Sequence, residues 1–243
     1  MSQVSVDAII PQSGSTITIG GSGDTVNLGS GASSSGFGVA VAGIVGVSTF
    51  TSSGTWTKAT RESALGVTIK RVIVEVQGGG GSGSDGNAAS ARYTHGGAGG
   101  YAKKLIDVSS ISSATITVGA GGAGVTSYPS NAGGDSIWSD GTNTVTGGGA
   151  GVAGTANYVG GLGGTASGGD LNIDGRTGGG YAMYSGADSM FGFGGTYSAR
   201  QTGSGDTGSD EPTGYGSGSS GLYGNGTTRD GRPGIVIVTE IAG

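Results

Sequence analysis

No cysteine occurs in this chain, so neither disulfide bonds nor thiolate metal sites contribute to it, and its stability must come from backbone pairing and packing. Charge is also scarce: 11 basic and 16 acidic residues give a net charge of −5. Without a cationic field, the electrostatic term that dominates nucleic-acid affinity is missing, and no nucleic-acid partner is expected. The single histidine, His95, has no nucleophile motif beside it, so a serine-histidine-aspartate arrangement has no local basis and no enzymatic activity is expected. No apolar run approaches the roughly 20 residues that a bilayer-spanning helix needs. The most apolar stretch, Phe37 to Val47, is short and broken by glycine, so no membrane insertion is expected. A basic region followed by an apolar stretch and a cleavage site is missing at the start, so no secretory leader is expected either. Prolines number only 4.

Glycine is the excess, with 60 in 243 residues, against a background of about 7% in ordinary proteins. Collagen would place glycine at every third position among many prolines, whereas here it comes in clusters such as Gly78 to Gly81 and Gly178 to Gly180. Hydrophobic residues make up 33% and charged residues 11%, a balance that suits a buried core and not a disordered linker. Ordinary helical folds are excluded by the same glycine content.

Up to about Phe37, two alternating segments, Ser15 to Ile19 and Asp24 to Leu28, read as strands with too few apolar neighbours for a core of their own. Residues 1–47 are therefore expected to be an attachment stem. From Ser48 onward, β-branched runs alternate with glycine clusters: Ser48 to Thr57, Val67 to Gln77, Tyr101 to Val108, Ala114 to Val118, Asp135 to Ser139, Thr142 to Thr146 and Gly234 to Ile241. Val72, Val74 and Val76 share one face of their run, as in a half-buried sheet, while the closing run is apolar at nearly every position, as in a central strand. The expected fold is all-β: a jelly-roll-like β-sandwich over residues 48–243 without significant α-helix.

Between Gly147 and Arg232 no convincing strand period is present, yet a structureless loop of that length is improbable in a compact domain. Glycine adopts the polyproline-II helix, which has three residues per turn and leaves every N–H and C=O free for a neighbour. A bundle of such polyglycine-II helices is expected as an insertion at about 147–232.

A series of short motifs runs through the chain: Phe50-Thr51-Ser52-Ser53-Gly54-Thr55-Trp56-Thr57, Val74-Glu75-Val76-Gln77 before Gly78 to Gly81, Gly96-Gly97-Ala98-Gly99-Gly100-Tyr101-Ala102, Thr117-Val118-Gly119-Ala120-Gly121-Gly122 and Pro233-Gly234-Ile235-Val236-Ile237-Val238. From about Ser48 to Glu240 this order resembles the glycine-rich domain of phage tail-fibre proteins and is similar to polyglycine-rich phage adhesins. Glycine-rich extracellular domains of some receptor tyrosine kinases look alike too, although their disulfides have no counterpart here. The segment Thr16 to Val26 resembles tail-fibre stem sequence. The resemblance implies a virion protein that acts outside the host cell, forms a homotrimer and attaches to other tail proteins through its N-terminal segment. It also implies binding to a bacterial surface receptor, either an outer-membrane protein or a surface polysaccharide. A passive virion spike and a glycan depolymerase are the alternatives.

Large, low-entropy aromatic side chains in glycine-serine loops are the composition of binding loops. Tyr181, Met183, Tyr184, Met190, Tyr197, Tyr215 and Tyr223 are the expected receptor contacts, with Tyr93 and His95 as a second loop tip. Phe191 and Phe193 are read as core fillers, and Trp56 and Trp138 as packing residues on strands. Arg92, Arg176, Arg200 and Arg229 are the cations available to an anionic sugar. Gly119 to Gly124 matches the GxGxxG spacing without the helix that a dinucleotide requires, and Asp170 to Gly175 opens like a calcium loop but reaches Tyr181 where a glutamate belongs. No cofactor and no metal are expected. Asp135, Asp140, Asp170, Asp174, Asp188, Asp206 and Asp210 supply the acids from which a depolymerase pair would be drawn.

Overall fold

The computed structural model describes residues 43–86, 93–153, 159–180, 185–196, 210–223 and 226–243. All of them lie in the second of two units into which the chain divides, Ala40–Gly243. The stem strands expected at Ser15 to Ile19 and Asp24 to Leu28 fall outside the described residues.

The fold is all-β, with two five-stranded antiparallel sheets. In chain order the elements are β1 (Gly43–Phe50), β2 (Gly54–Thr57), α1 (Lys58–Leu65), β3 (Ile69–Gln77), β4 (Asp85–Gly86), β5 (Tyr101–Asp107) and β6 (Ser113–Thr117). Then follow β7 (Ser136–Ser139), β8 (Thr144–Gly147), β9 (Ala166–Ser167), β10 (Leu171–Ile173), β11 (Leu222–Tyr223) and β12 (Ile235–Ala242). One sheet has the order β1-β12-β3-β5-β10 and the other β2-β6-β7-β8-β9, while β4 and β11 form a short parallel pair. The C-terminal strand is central, as its apolar sequence implies, and brings Val236 and Val238 opposite Val76 and Val74. These valines pack with Ile69, Val72, Ala102 and Ile106 against Trp56, Ile116, Trp138 and Val145 of the other sheet. Both tryptophans are core residues, their ring centroids 5.5 Å apart.

Three local expectations are revised. The sheet begins at Gly43, so residues 43–47 belong to β1 and not to a stem. Ser48 to Thr57 is not one strand: the chain leaves the first sheet after Phe50 and enters the second at Gly54. An eight-residue helix, α1, was not foreseen. It closes on Gly66, whose left-handed φ of 69° suits glycine and whose N–H reaches the Glu62 carbonyl at 2.8 Å.

The helix is fastened to the sandwich by a buried carboxylate. Glu240 sits on the core face of β12 with no solvent exposure. It accepts hydrogen bonds from Arg61 Nε at 2.7 Å and Nη2 at 3.0 Å, Ser48 Oγ at 2.6 Å and Trp56 Nε1 at 3.2 Å. Its neighbour across β1 is Gly46, where a Cβ would stand 2.6 Å from Glu240 Oε2. Burial by itself would push this carboxyl up, but the donors and the Arg61 charge outweigh it and hold it below the ordinary glutamate range.

From the other end of the sandwich grows a glycine array. Six strands run directly into it: β3 into Gly78, β6 into the segment from Gly119, and β8 into Gly148, while β5, β7 and β12 emerge from Gly100, Gly134–Asp135 and Gly234. The N–H groups of Gly78, Gly81 and Ser84 donate to the carbonyls of Gly100, Gly97 and Thr94, whereas those of Gly79 and Ser82 donate to Gly134 and Asn131, all at 2.9–3.0 Å. Gly80 turns to a third neighbour, Arg232, at 2.8 Å. The same step of three recurs where His95 and Ala98 donate to Gly179 and Arg176, and where Gly96 and Gly99 donate to Ser219 and Gly216. Gly161 and Gly164 bond to His95 and Ala98 in parallel sense. Three is the residue period of the polyproline-II helix. The array draws on segments before residue 147 as well as on those after it, since Gly78 to Gly81, Gly96 to Gly100, Gly119 to Gly122 and Gly133–Gly134 bond to the later glycine segments or to one another.

Glycine is required for closeness. A Cβ on Gly80, Gly96, Gly133 or Gly164 would lie far inside van der Waals contact with the carbonyl oxygens of Ser217, Gly81, Gly79 and Gly148. Such clashes are with backbone, which cannot swing aside. We expect Gly133→Ala to lower unfolding stability by about 3 kcal/mol or more, whereas Gly54→Ala, whose Cβ meets only the Phe50 ring at 3.9 Å, shifts it by less than about 0.5 kcal/mol; chemical denaturation of both variants checks this.

The lowered Glu240 pKa sets the sign of a pH dependence. Its contribution is complete above the ordinary value of 4.5 and is lost as pH falls through the folded-state value. Glu240→Gln should be less stable at neutral pH by about 1–3 kcal/mol and should show a shallower loss of stability on acidification than the parent, read from thermal melts across that range.

Candidate functional site

The glycine array exposes large apolar side chains in two described places: Val152, Val159 and Leu162 flank the Ala153–Gly161 bridge, and Met190 and Phe193 stand on a turn. Residues 185–196 form a narrow loop in which Ser189 pairs with Gly192 and Ser185 with Thr196. Its base is fixed by backbone bonds: Ala187 N–H donates to the Gly96 carbonyl at 3.0 Å, Gly218 to Ala187 at 2.9 Å and Gly195 to Gly218 at 3.0 Å. Phe191 pairs with Tyr215, and the left-handed Gly214 and Gly216 on either side, with φ of 67° and 74°, bend that segment around the loop. The Phe191 ring meets the edge of Tyr101 with centroids 5.7 Å apart. Met190 is 53% exposed and Phe193 74% exposed.

Phe193 is thus no core filler, contrary to the expectation from sequence: Phe191 bridges to Tyr215 and packs on Tyr101, whereas Phe193, two residues on, stands in solvent. Tyr93 and His95 are corrected in the opposite direction. Both are buried inside the array, ring against ring at 5.9 Å, and His95 Nδ1 accepts the Gly221 N–H at 2.9 Å. Their glycine neighbours form packed backbone and not a loop tip. Tyr215 is half-buried beneath the turn. Tyr223 belongs to β11, which pairs in parallel with β4. Tyr181, Met183, Tyr184 and Tyr197, together with Arg92, Arg200 and Asp206, lie outside the described residues.

Beside the turn is a groove of about 220 Å³, lined by Gln77, Tyr101, Ile173, Asp174, Arg176, Asp188 and Met190 with the backbone of Gly99, Gly175 and Ser189. Four separate parts of the chain supply it: the end of β3, the start of β5, the β10 edge with the residues after it, and the pinned loop. Gln77 is the last residue of β3 and is wholly buried. Its Nε2 donates to the Gly99 carbonyl at 2.8 Å and approaches those of Gly100 and Gly78 at 3.3 and 3.4 Å, which fixes the orientation of the amide. Among the described residues nothing donates a hydrogen bond to its Oε1, a state that costs about 1–3 kcal/mol.

Tyr101 forms a wall. Burial first, and then the hydrogen bond to Glu75 and its charge, push the phenol far above its ordinary value, so it stays neutral. Asp174 accepts the Ala166 N–H and Asp188 the Gly194 N–H, each through Oδ1, at 2.9 and 2.8 Å. In each, Oδ2 takes no hydrogen bond among the described residues. The Arg176 side chain is exposed and takes part in no ion pair among the described residues.

A second cleft, about 200 Å³, is lined by Glu211, Pro212, Thr228, Arg229, Asp230 and Arg232. Here the cations are already engaged: Arg229 and Arg232 lie 3.5 and 4.0 Å from Glu211. Asp170, read from sequence as the start of a possible calcium loop, accepts the Leu105 N–H at 2.9 Å and holds β10 to β5. Gly119 to Gly124 is part of the array, and no helix follows it among the described residues.

The sequence singled out Met190 as a receptor contact and Arg176 as one of four scattered cations without joining them, and gave no sign of Gln77 or Tyr101, which look like ordinary strand termini. Asp174 and Asp188 were two among seven acids, without a motif to join them. In comparisons with known proteins, no family model matches the chain and no curated protein matches it.

Proposed function

We propose that this chain is a receptor-binding adhesin of the phage tail-fibre kind, which holds a bacterial surface receptor against aromatic and apolar side chains presented by a glycine scaffold. The observation that carries the reading is the exposure of Phe193 and Met190 on a turn whose base is held by backbone hydrogen bonds. Large apolar side chains on a rigid turn are costly to hydrate and lose little entropy on binding, which is the usual design of a contact hot spot. In this reading the glycine array is a polyglycine-II bundle that makes the loops rigid.

The polarity of the domain agrees with this role. β1 enters at Gly43, opposite Ala242, whereas the array grows from the end of the sandwich that holds Gln77 and Ile235. Gly43 therefore lies at the end of the sandwich away from the array; in this reading the residues before it attach to other tail proteins in a homotrimeric virion fibre. A glycan depolymerase is the second reading, favoured by one observation: Asp174 and Asp188 line a single groove. Both carboxylates are exposed, whereas a general acid working near neutrality needs burial or a like charge beside it.

Attachment of the labelled protein to bacterial cells tests the adhesin reading. The double variant Met190→Ser, Phe193→Ser should keep its circular dichroism and lose attachment by roughly tenfold or more. Equal attachment by parent and variant would remove this turn from the contact, and shortened surface polysaccharide after incubation would favour the depolymerase.

A further inference from the structure

Among the described residues, the groove beside the pinned turn is the one place where a buried polar atom without a protein donor, open carboxylate oxygens, a free guanidinium and apolar walls converge. We infer that it binds one hexose unit of a surface glycan. The inference deepens the adhesin reading and rests on it for the source of the sugar.

Size is the first constraint. About 220 Å³ is below the roughly 300 Å³ at which pockets for drug-sized ligands begin, so one ring fits and a chain of rings must continue into solvent. The hydrogen-bonding inventory is the second. Gln77 Oε1, Asp174 Oδ2 and Asp188 Oδ2 are acceptors awaiting donors, and the Arg176 guanidinium is a donor awaiting acceptors. A ligand with several hydroxyl groups supplies both, because each hydroxyl donates one hydrogen bond and accepts others. A phosphate or carboxylate ligand would satisfy Arg176 alone and face two like charges.

The third constraint is the apolar surface, which the 41%-exposed Ile173 and the 53%-exposed Met190 supply beside the buried Tyr101 ring. The C–H face of a pyranose ring can lie on such a wall while its edge hydroxyls reach the carboxylates. A purely apolar ligand would leave Gln77 and both aspartates without partners, at the cost described above for Oε1.

Methionine supplies a direct readout, because the chain has only 3, Met1, Met183 and Met190. Methyl NMR of methionine-labelled protein, with Met190 assigned through Met190→Leu, would be recorded against glucose, galactose, mannose, N-acetylglucosamine and the hydrolysed polysaccharide of cells to which the protein attaches. A saturable shift of the Met190 methyl is expected with at least one of them. Arg176→Ala should weaken it by about tenfold, the loss of one charge-assisted hydrogen bond, while Arg229→Ala in the second cleft leaves it unchanged. Attachment to cells with no Met190 shift from any of these sugars would overturn the groove inference and leave the adhesin reading standing. A Met190 shift without attachment to any cell would keep the groove as a sugar site and overturn the adhesin reading. A shift unaffected by Arg176→Ala would also overturn the groove assignment.

Discussion

Backbone can hydrogen-bond to backbone in three directions at close range only where no side chain stands at the facing positions, and in this protein that requirement shapes the array that grows from the two sheets. Gly78 to Gly81 show it most clearly, with successive residues donating to three different neighbours and the fourth returning to the first. Each such bond contributes about 0.5–1.5 kcal/mol net, while ordering a residue costs about 1–2 kcal/mol and more for glycine. A free-standing array is therefore marginal. The sandwich resolves this by supplying the strand ends that enter the array already ordered, so that its first residues inherit their direction from paired β-strands.

The same arrangement explains how a chain with no disulfide holds loops rigidly. The loop at residues 185–196 is held by main-chain contacts at its base and by Ser189 and Asp188, which accept the Phe191 and Gly194 N–H groups, while Met190 and Phe193 face outward. The opposite end of the sandwich uses different physics: Glu240 gathers donors from β1, β2 and α1 around a buried charge. One end is organised mainly by backbone, with side chains such as Gln77 and His95 adding hydrogen bonds, the other by side chains around one buried charge, and recognition is proposed for the first.

The sheets were legible because β-branched residues alternate along β3 and fill β12. The start of β1 was hidden by Gly43 and Gly46, the second of which is glycine to make room for Glu240. α1 was hidden because none of its residues is buried, so its sequence carries helix-forming residues but no apolar period. His95 and Tyr93 were read as exposed since glycine neighbours usually mean a loop; here they mean tight packing. The groove could not be read at all, because Gln77, Tyr101, Arg176 and Asp188 come from four parts of the chain and converge only once the array forms.

Hydrogen exchange of the glycine amides tests the central claim most directly. If the array is a hydrogen-bonded lattice anchored by the sandwich, the N–H groups of Gly80, Gly96 and Gly99 should be protected nearly as strongly as those of Val74 in β3 and Val238 in β12, since both would open only with the whole domain. Exchange of those glycine amides at unprotected rates, with β3 and β12 still protected, would contradict it.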